Sequence, residues 1–439
     1  MHHEVRECLR AILPKALQYA ESLPREKVPF LLFTRTKSGW QGSYESRSLP
    51  PIAERLCPEE LARRFEEVMS KHHPEHLGLV GRSGSLLRLE ASLLLDRLIH
   101  EVWSRHASLD VSSEAIDSLV EEFGSFVDDT QVRVSYCAPI VNLRIQPSVA
   151  EIPILPGVTI KHLSDADVTD LHGGRADVGM LSPTRGPHAI SAITEYAFVG
   201  EFDEPKRFEG DGVGSSQAYE EMQGRLRQAV LALRSFKSGP VGYRELHMKP
   251  IGFSPLPRCT VGHGAEHIPS GRYVLCAEQV DSLRAHARQI AASLHPALSL
   301  AISRLSDAEV RISARDKLID AVIGLDAVLL PEGNRQELRY RFAMNYASLA
   351  DAPEEKLSRF GAARDIYDSR STLAHGRHIE DDKLVPVGEH KVTLSRAAET
   401  ACEMLREVVK HFLPKGHEPD FSDQQYWERE LFGLPHPKQ

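Results

Sequence analysis

The 439-residue sequence has no apolar run long enough to cross a bilayer, and its first residues lack the apolar core of a signal peptide. We therefore expect a cytoplasmic protein without a membrane partner. Cysteine is also scarce, because the six cysteines are widely scattered and no two of them form a CxxC pair. In a chain of this length, that distribution is typical of reduced thiols and argues against a disulfide framework.

Positive charge is not in excess either. The formal net charge is -9, so the surface as a whole does not attract nucleic acid, and a polyanion would need a local basic patch. Residues 335–377 are one candidate, with eight Arg or Lys against six Asp or Glu, and a solvated helical surface is the alternative. Hydrophobic residues make up 41% and charged residues 26%, which is typical of a folded globular protein of two or three domains.

The sequence pattern predicts an α+β protein that is predominantly α-helical. Residues 1–130 indicate a mainly helical N-terminal region, with a loop or hairpin over 30–48. Residues 131–275 indicate a mixed α/β region, because apolar and polar residues alternate there with the period of strands. Residues 276–413 predict a four- to five-helix antiparallel bundle. The last residues, 414–439, hold several prolines and predict an extended tail, in which Trp427 and Phe432 are the residues that could dock.

The predicted bundle contains the most informative segment, Tyr367-Asp-Ser-Arg-Ser-Thr-Leu-Ala-His-Gly376. We expect a helix that Asp351 caps and that Gly376 ends, because glycine suits the left-handed conformation after a helix. Four residues at helical spacing predict its buried face: Phe360, Ala363, Tyr367 and Ala374. Arg370 lies at the edge of that face. His375 follows about 140° further around an ideal helix, so a straight helix does not direct both side chains at one ligand.

An acidic residue on a second predicted helix is the natural partner for Arg370. The helix over 310–330 has an apolar stripe with Asp326 in its middle, and carboxylates are rarely buried without a partner. One interpretation is an internal ion pair that stabilises the bundle, with His375 as a capping residue. The other is chemistry: arginine grips phosphate and histidine transfers protons near neutral pH, which suffices to cleave a phosphodiester without metal.

Together these residues resemble the Apea-like branch of the HEPN superfamily (higher eukaryotes and prokaryotes nucleotide-binding domains). The similarity covers about a quarter of the chain, residues 310–412. It comprises the helix from Arg315 to Leu330 with its internal Asp326, the segment 337–349, and the motif that ends in His375-Gly376. The resemblance implies a four- to five-helix HEPN bundle that acts as a homodimeric, metal-independent RNA endonuclease and needs no cofactor.

The resemblance also implies a role for each catalytic residue. Arg370 is expected to hold the scissile phosphate, and His375 to serve as acid or base while the ribose 2′-hydroxyl attacks. A cyclic phosphate is then one product. Asp326 matches an acidic position of this branch, more often glutamate, and is expected to orient Arg370 or His375.

Three further residues, in the motif or directly after it, are expected to bind the substrate: Ser371, Tyr367 and Arg377. Many active HEPN nucleases have Asn, Asp or His directly after the arginine, whereas this chain has Ser371, which is usual in the Apea-like branch. By family analogy, the protein is a toxin or anti-phage effector that cleaves RNA, with tRNA as one candidate. The N-terminal 270 residues would recognise a protein or phage-derived trigger. The alternative is a HEPN module that binds RNA, a nucleotide or a protein partner without catalysis.

A second set of residues has metal-ligand character. Cys259, His263 and His267 show a CxxxHxxxH spacing in a Gly-rich segment that we predict to be a loop. Zinc uses such ligands, but the spacing fits no common zinc finger. We therefore predict no metal site.

Overall fold

The structure, a computed structural model, describes most of the chain. The described residues are 1–36, 39–49, 56–72, 78–80, 86–88, 91–106, 108–129, 131–172, 174–175, 195–205, 217–253, 259–264, 267–292, 294–330, 337–376, 383–415, 423–432 and 434. More of them lie in helices than in strands, so the protein is a mixed α+β protein that is mostly helical. Arg377, a predicted site residue, lies outside the described residues.

The first part of the chain combines helices with short hairpins. Its elements are α1 (His3–Ser22), β1 (Glu26–Thr36), β2 (Gly39–Leu49), α2 (Glu59–His72), β3 (Gly78–Val80), β4 (Leu86–Arg88), α3 (Ala91–His106) and α4 (Ser113–Asp128). The segment predicted as a loop or hairpin forms the antiparallel pair β1–β2. Helix α1 continues through Pro14, and its apolar residues face the core.

The middle part is organised around one antiparallel sheet. Its elements are β5 (Gln131–Val141), β6 (Leu143–Gln146), β7 (Glu151–Leu155), β8 (Val158–His162), α5 (Asp165–His172), β9 (Gly174–Arg175), β10 (Tyr196–Pro205), α6 (Gln217–Phe236), β11 (Gly242–Tyr243), β12 (Glu245–Pro250), β13 (Cys259–His263) and β14 (Tyr273–Cys276). Seven strands form the sheet in the order β13-β12-β5-β10-β8-β7, with β11 also paired to β5. Helix α6 packs against β10 and connects the sheet to the helices that follow.

The last part is mainly helical. Its elements are α7 (Val280–Ala291), α8 (Pro296–Val310), α9 (Ala314–Leu329), α10 (Leu338–Ser348), α11 (Pro353–Ala374), β15 (Leu384–Val387), β16 (His390–Thr393), α12 (Leu394–Phe412) and α13 (Gln424–Phe432). Helices α8 to α12 pack against one another, and α12 contacts both α8 and α9. The helix predicted over 310–330 begins later, because Ser313 caps α9 by accepting the N–H of Asp316 at 3.3 Å.

The end of the chain differs from the predicted extended tail. Residues 424–432 form α13, which packs against α10. Trp427 is buried, and its ring lies edge-on to that of Phe412 at 5.8 Å between centroids. Burial of these aromatic rings explains why this segment, which lies between the prolines of the tail, forms a packed helix.

One continuous hydrophobic cluster joins the parts, running from Val5 in α1 to Trp427 in α13. Buried polar groups cross the junction between sheet and helices. Arg234 on α6 donates to the backbone oxygen of Val241 at 2.7 Å and to Ser306 Oγ on α8 at 3.0 Å. No helix within the described ranges is both long and apolar enough to span a membrane.

Candidate functional site

Helix α11 presents the predicted catalytic motif along one edge of the helical bundle. Pro353 occupies its first turn, where the fixed φ of proline suits a helix start, and the predicted side-chain cap by Asp351 is absent. The buried face contains Ala363, Ile366 and Leu373. Ala374, predicted to be buried, is exposed, so the buried face is rotated relative to the prediction.

Arg370 on α11 meets Asp326 on α9, as the sequence predicts. The guanidinium Nη2 lies 3.7 Å from Asp326 Oδ2, and the two side chains are 28% and 24% exposed. At this distance the pair is loose. It also leaves Asp326 Oδ1 and Arg370 Nε buried without a hydrogen-bond partner within the described part of the chain. Burial raises the pKa of the Asp326 carboxyl to about 6, although the charge of Arg370 opposes this shift.

This arrangement has two chemical consequences. A carboxyl with a pKa of about 6 exchanges its proton near neutral pH, which is the property that general acid–base catalysis needs. A loosely paired guanidinium retains donors for an anion, and the planar fork of arginine matches a phosphate. The Arg370–Asp326 pair can therefore exchange a proton and bind an anion, which an ion pair with all its hydrogen bonds made could not do.

Two of the predicted substrate-binding residues lie beside this pair. The ring of Tyr367 is partly buried and packs against Phe342 at 5.2 Å between centroids. Burial raises the pKa of the Tyr367 phenol, and the nearby Asp326 carboxylate adds to the shift. Ser371 is partly exposed, and its backbone oxygen accepts the N–H of His375 at 3.1 Å.

His375 lies at the end of α11, where Gly376 adopts the left-handed conformation with φ of 76° and stops the helix, as predicted. The His375 side chain is exposed and makes no hydrogen bond or ion pair to any residue that the structure describes. It can therefore reach a substrate at this end of the helix. No contact joins it to Arg370 or Asp326 within the described ranges.

The direction of the helices explains the separation of Arg370 from His375. Arg315, in the first turn of α9, donates from Nη2 to the backbone oxygen of Leu373 at 3.2 Å. Asp326 lies about 16 Å further along α9, so α9 and α11 run antiparallel, and the guanidinium of Arg370 points back along α11. The structure thus brings Arg370 to Asp326 but directs it away from His375.

Arg315 is a cation at the site that the sequence interpretation did not single out. It is exposed, has no carboxylate partner in the described part of the chain, and contacts a backbone oxygen two residues before His375. A cation in the first turn of a helix opposes the helix dipole. An arginine in this unfavourable position is the sequence signal that could have identified Arg315 as a candidate functional residue.

Three other arginines of the predicted basic patch are paired with carboxylates. Arg339 pairs with Asp368 at 2.5 Å. Three further contacts bind arginines on α11 to carboxylates: Arg359–Glu355 at 2.7 Å, Arg359–Glu407 at 3.4 Å and Arg364–Asp365 at 3.3 Å. Arg339, Arg359 and Arg364 therefore add little unpaired positive charge to the site.

One group of side chains in the described ranges has metal-ligand atoms close together. The ligand atoms of His2, Glu4 and His72 lie within 4.8 Å of one another. Glu4 Oε2 already accepts from Lys71 at 2.9 Å and from His72 Nε2 at 2.8 Å, and these hydrogen bonds lower its pKa to about 2. The group is explained as an ion-pair cluster. Of the predicted metal-type residues, the side chains of Cys259 and His263 lie outside the described residues, and their segment forms β13 rather than a loop.

Comparisons with known proteins do not add a relative to this picture. No protein-family model, no curated protein and no solved structure matches the chain. The function of the site must therefore be argued from its residues and their geometry.

Proposed function

We propose that the protein is a metal-independent RNA endonuclease of the HEPN type, with α8 to α12 as its HEPN bundle. The observation that supports this best is the loose, partly buried pair of Arg370 and Asp326, with the exposed His375 five residues after Arg370 at the end of α11. Arg370 would bind the scissile phosphate. One acid–base group removes the proton of the ribose 2′-hydroxyl, the 2′-oxygen attacks phosphorus, and the 5′-oxygen leaves with a proton, giving a cyclic phosphate.

Two groups can share the proton transfers. The pKa of Asp326 near 6 suits either role, and His375 is the second candidate. Arg315, beside the backbone of His375, would bind a neighbouring phosphate. Tyr367 and Ser371, together with Arg377, complete the proposed substrate-binding set.

The proposed enzyme acts as a homodimer through its HEPN bundle. Within one chain, Arg370 and His375 point apart, so one chain alone does not direct both at a single phosphate. A second copy related by a twofold axis would supply His375 of one subunit to the cleft that contains Arg370 of the other. The dimer therefore removes the geometric obstacle that the helix spacing creates.

The biological setting is proposed from the same resemblance. A cytoplasmic toxin or anti-phage effector would cleave RNA, with tRNA as one candidate, after its N-terminal 270 residues recognise a protein or phage-derived trigger. No membrane partner and no cofactor are needed for this activity.

A second function has one specific observation in its favour. Arg370 is held by Asp326 away from His375, and most neighbouring arginines are paired with carboxylates. A HEPN module that binds RNA, a nucleotide or a protein partner without cleaving it would need no closer arrangement. The two functions differ in whether the RNA chain is broken.

The deciding experiment incubates the purified protein with tRNA and with total RNA in the presence of EDTA. We expect cleavage by the wild type, and a loss of about 100-fold or more in the His375→Ala and Arg370→Ala variants. Arg315→Ala should lower the cleavage rate by about 10-fold through weaker phosphate binding. Arg288→Ala is the matched control, because Arg288 is exposed on α7 and should leave the rate unchanged.

Three outcomes would count against the proposal. Cleavage that requires an added metal ion would overturn the mechanism. Equal cleavage by the wild type and the His375→Ala variant would indicate a contaminating nuclease. Tight RNA binding without cleavage, including in cells challenged with phage, would favour the non-catalytic module.

A further inference from the structure

The outward face of the seven-stranded sheet carries a cleft of about 350 Å³ that shares no lining residue with the proposed RNA site. On β5, Val134 and Tyr136 are buried in the main core, whereas Ser135 and Cys137 alternate with them and line the cleft. Helix α5 contributes Asp167 to the wall. The cleft thus has a thiol in its floor.

A histidine lies directly beside that thiol. Strands β12 and β5 pair with His247 opposite Cys137, and both residues line the cleft. Directly opposite residues of an antiparallel pair have Cβ atoms about 5 Å apart. His247 is only 7% exposed, and its Nε2 lies 3.5 Å from Glu245 Oε2 on the same strand. Cys137, His247 and Glu245 therefore form a short row of thiol, imidazole and carboxylate.

Lysines bring positive charge to the same cleft. Lys161 comes from β8 and Lys249 from β12, where it follows His247 on the same face of the strand. Nearby cations favour the thiolate form of a cysteine, and the thiolate is the nucleophile.

The two carboxylates of the cleft are both bound to donors. Asp167 accepts from the backbone N–H of Ser164 at 2.9 Å and from Lys161 Nζ at 3.3 Å. Glu201 accepts from Arg133 at 2.8 Å. Lys161 and Arg133 thus offset the two acids of the cleft, and Lys249 is the cleft cation that we assign to an anionic ligand.

We propose that Cys137 is a reactive thiol and that the cleft is its modification site for small disulfides bearing carboxylate or phosphate groups. In the reaction, the Cys137 proton passes to His247 and the sulfur attacks one sulfur of the disulfide. A mixed disulfide forms, the other half of the ligand leaves as a thiolate, and the ligand disulfide is the only oxidant consumed. Lys249 binds the anionic group of the ligand.

The other described cysteines provide internal references. Cys8, Cys57 and Cys402 are buried, and burial raises the pKa of both Cys57 and Cys402 to about 12. Cys276 is exposed and represents a freely accessible thiol. If exposure alone determined reactivity, Cys276 would react before the half-buried Cys137. The proposal predicts the reverse order.

The test labels the folded full-length protein with iodoacetate at pH 7 and follows each cysteine-containing peptide by mass spectrometry. A Cys259→Ser background removes the cysteine whose side chain lies outside the described residues. Cys137 should be labelled at least about 10-fold faster than Cys276. Labelling of Cys137 at or below the rate of Cys276 would overturn the proposal.

Two variants test whether His247 and Lys249, rather than solvent exposure alone, determine the reactivity of Cys137. His247→Gln should lower the labelling rate of Cys137 while leaving that of Cys276 unchanged, which also shows that the protein remains folded. Lys249→Gln should abolish the preference of Cys137 for iodoacetate over the neutral iodoacetamide. Unchanged Cys137 rates in both variants would refute the roles of the imidazole and the lysine.

Disulfide probes of opposite charge test the ligand class. Glutathione disulfide carries net negative charge at pH 7, whereas cystamine is a cation. Relative to Cys276, Cys137 should form the mixed disulfide faster with glutathione disulfide than with cystamine. A preference for cystamine would contradict the anionic ligand. These measurements involve no RNA, so their outcome is independent of the proposed nuclease activity.

Discussion

Asp320 and Asp326 lie on the same helix, α9, but meet different partners. Asp320 is buried and accepts from Arg304 at 3.1 Å and from Arg311 at 2.7 Å, so both of its oxygens are hydrogen-bonded. Asp326 has one contact of 3.7 Å with Arg370, and its Oδ1 has no partner among the described residues. The burial of Asp326 is therefore incompletely compensated, and its raised pKa expresses that cost.

This difference predicts a pH-dependent effect of Asp326→Asn. The pKa of Asp326 rises from 3.8 to about 6 on folding, so its stabilising contribution is complete below pH 4 and is lost as the pH rises through 6. Between pH 4 and pH 7, the free energy of unfolding of the variant should gain up to about 3 kcal/mol relative to the wild type. Urea denaturation at several pH values measures this gain.

Asp320→Asn is the matched control on the same helix. Because it removes an acid with two close arginine partners, it should lower the free energy of unfolding by about 2 kcal/mol at pH 7. If the difference in free energy of unfolding between Asp326→Asn and wild type does not change over this pH range, burial does not raise the pKa of the Asp326 carboxyl.

At the scale of elements, the proposed site depends on where α11 ends. Gly376 has φ of 76°, and a Cβ added there would meet no atom within 4 Å. Its role is therefore conformational rather than steric. Arg315 fixes the same end from the neighbouring helix by donating to Leu373. Together these residues set the position of His375 relative to the bundle.

Gly376→Ala should therefore lower the free energy of unfolding by about 1 kcal/mol, because an alanine pays for the left-handed conformation. Gly361→Ala on the same helix is the control. A Cβ at Gly361 would meet only Gly388 Cα at 3.8 Å, and alanine is favoured inside a helix, so this variant should gain about 0.5–1 kcal/mol. Chemical denaturation compares the two, and changes of equal sign would contradict the assignment.

The elements of this region were predictable to different degrees. The end of α11 at Gly376 and the approach of Asp326 to Arg370 follow from the sequence, because glycine and a buried carboxylate each impose a local demand. The buried face of α11 was misplaced at Ala374, because only the contacts of the neighbouring helices fix the rotation of a helix. The direction of the Arg370 side chain likewise depends on α9.

Two other helices also depend on contacts that their local sequence does not specify. Nothing local in residues 424–432 requires a helix, and α13 forms because Trp427 is buried beside Phe412. Pro14 marks a break by local rules, yet α1 continues through it, with the apolar residues around it buried in the core. In both segments, tertiary burial outweighs local preference.

At the scale of the whole molecule, buried polar groups join the sheet region to the helices. Glu309 on α8 accepts from Arg406 on α12 and from the backbone N–H of Gly239 at 2.9 Å. A second buried polar contact joins α7 to α6, where His286 on α7 meets Ser235 on α6. The imidazole Nε2 is 2.8 Å from Ser235 Oγ, whose own proton is donated to Leu231. With the Ser235 proton directed at Leu231, His286 Nε2 is the donor in this hydrogen bond.

This buried imidazole predicts loss of stability in acid. Burial lowers the pKa of His286 from 6.5 to about 4, and the nearby Lys410 adds to the shift, so its contribution is present above pH 6.5 and is lost as the pH falls towards 4. Relative to His286→Gln, the wild type should lose up to about 3 kcal/mol between pH 7 and pH 4. Ser235→Ala is the control, because it removes the hydrogen bond but keeps the buried imidazole, and should retain the pH dependence. The pH dependence of stability has the opposite sign to that of Asp326, so denaturation of both variants over one pH range separates the two groups. If His286→Gln leaves the loss of stability in acid unchanged, His286 does not couple folding to protonation.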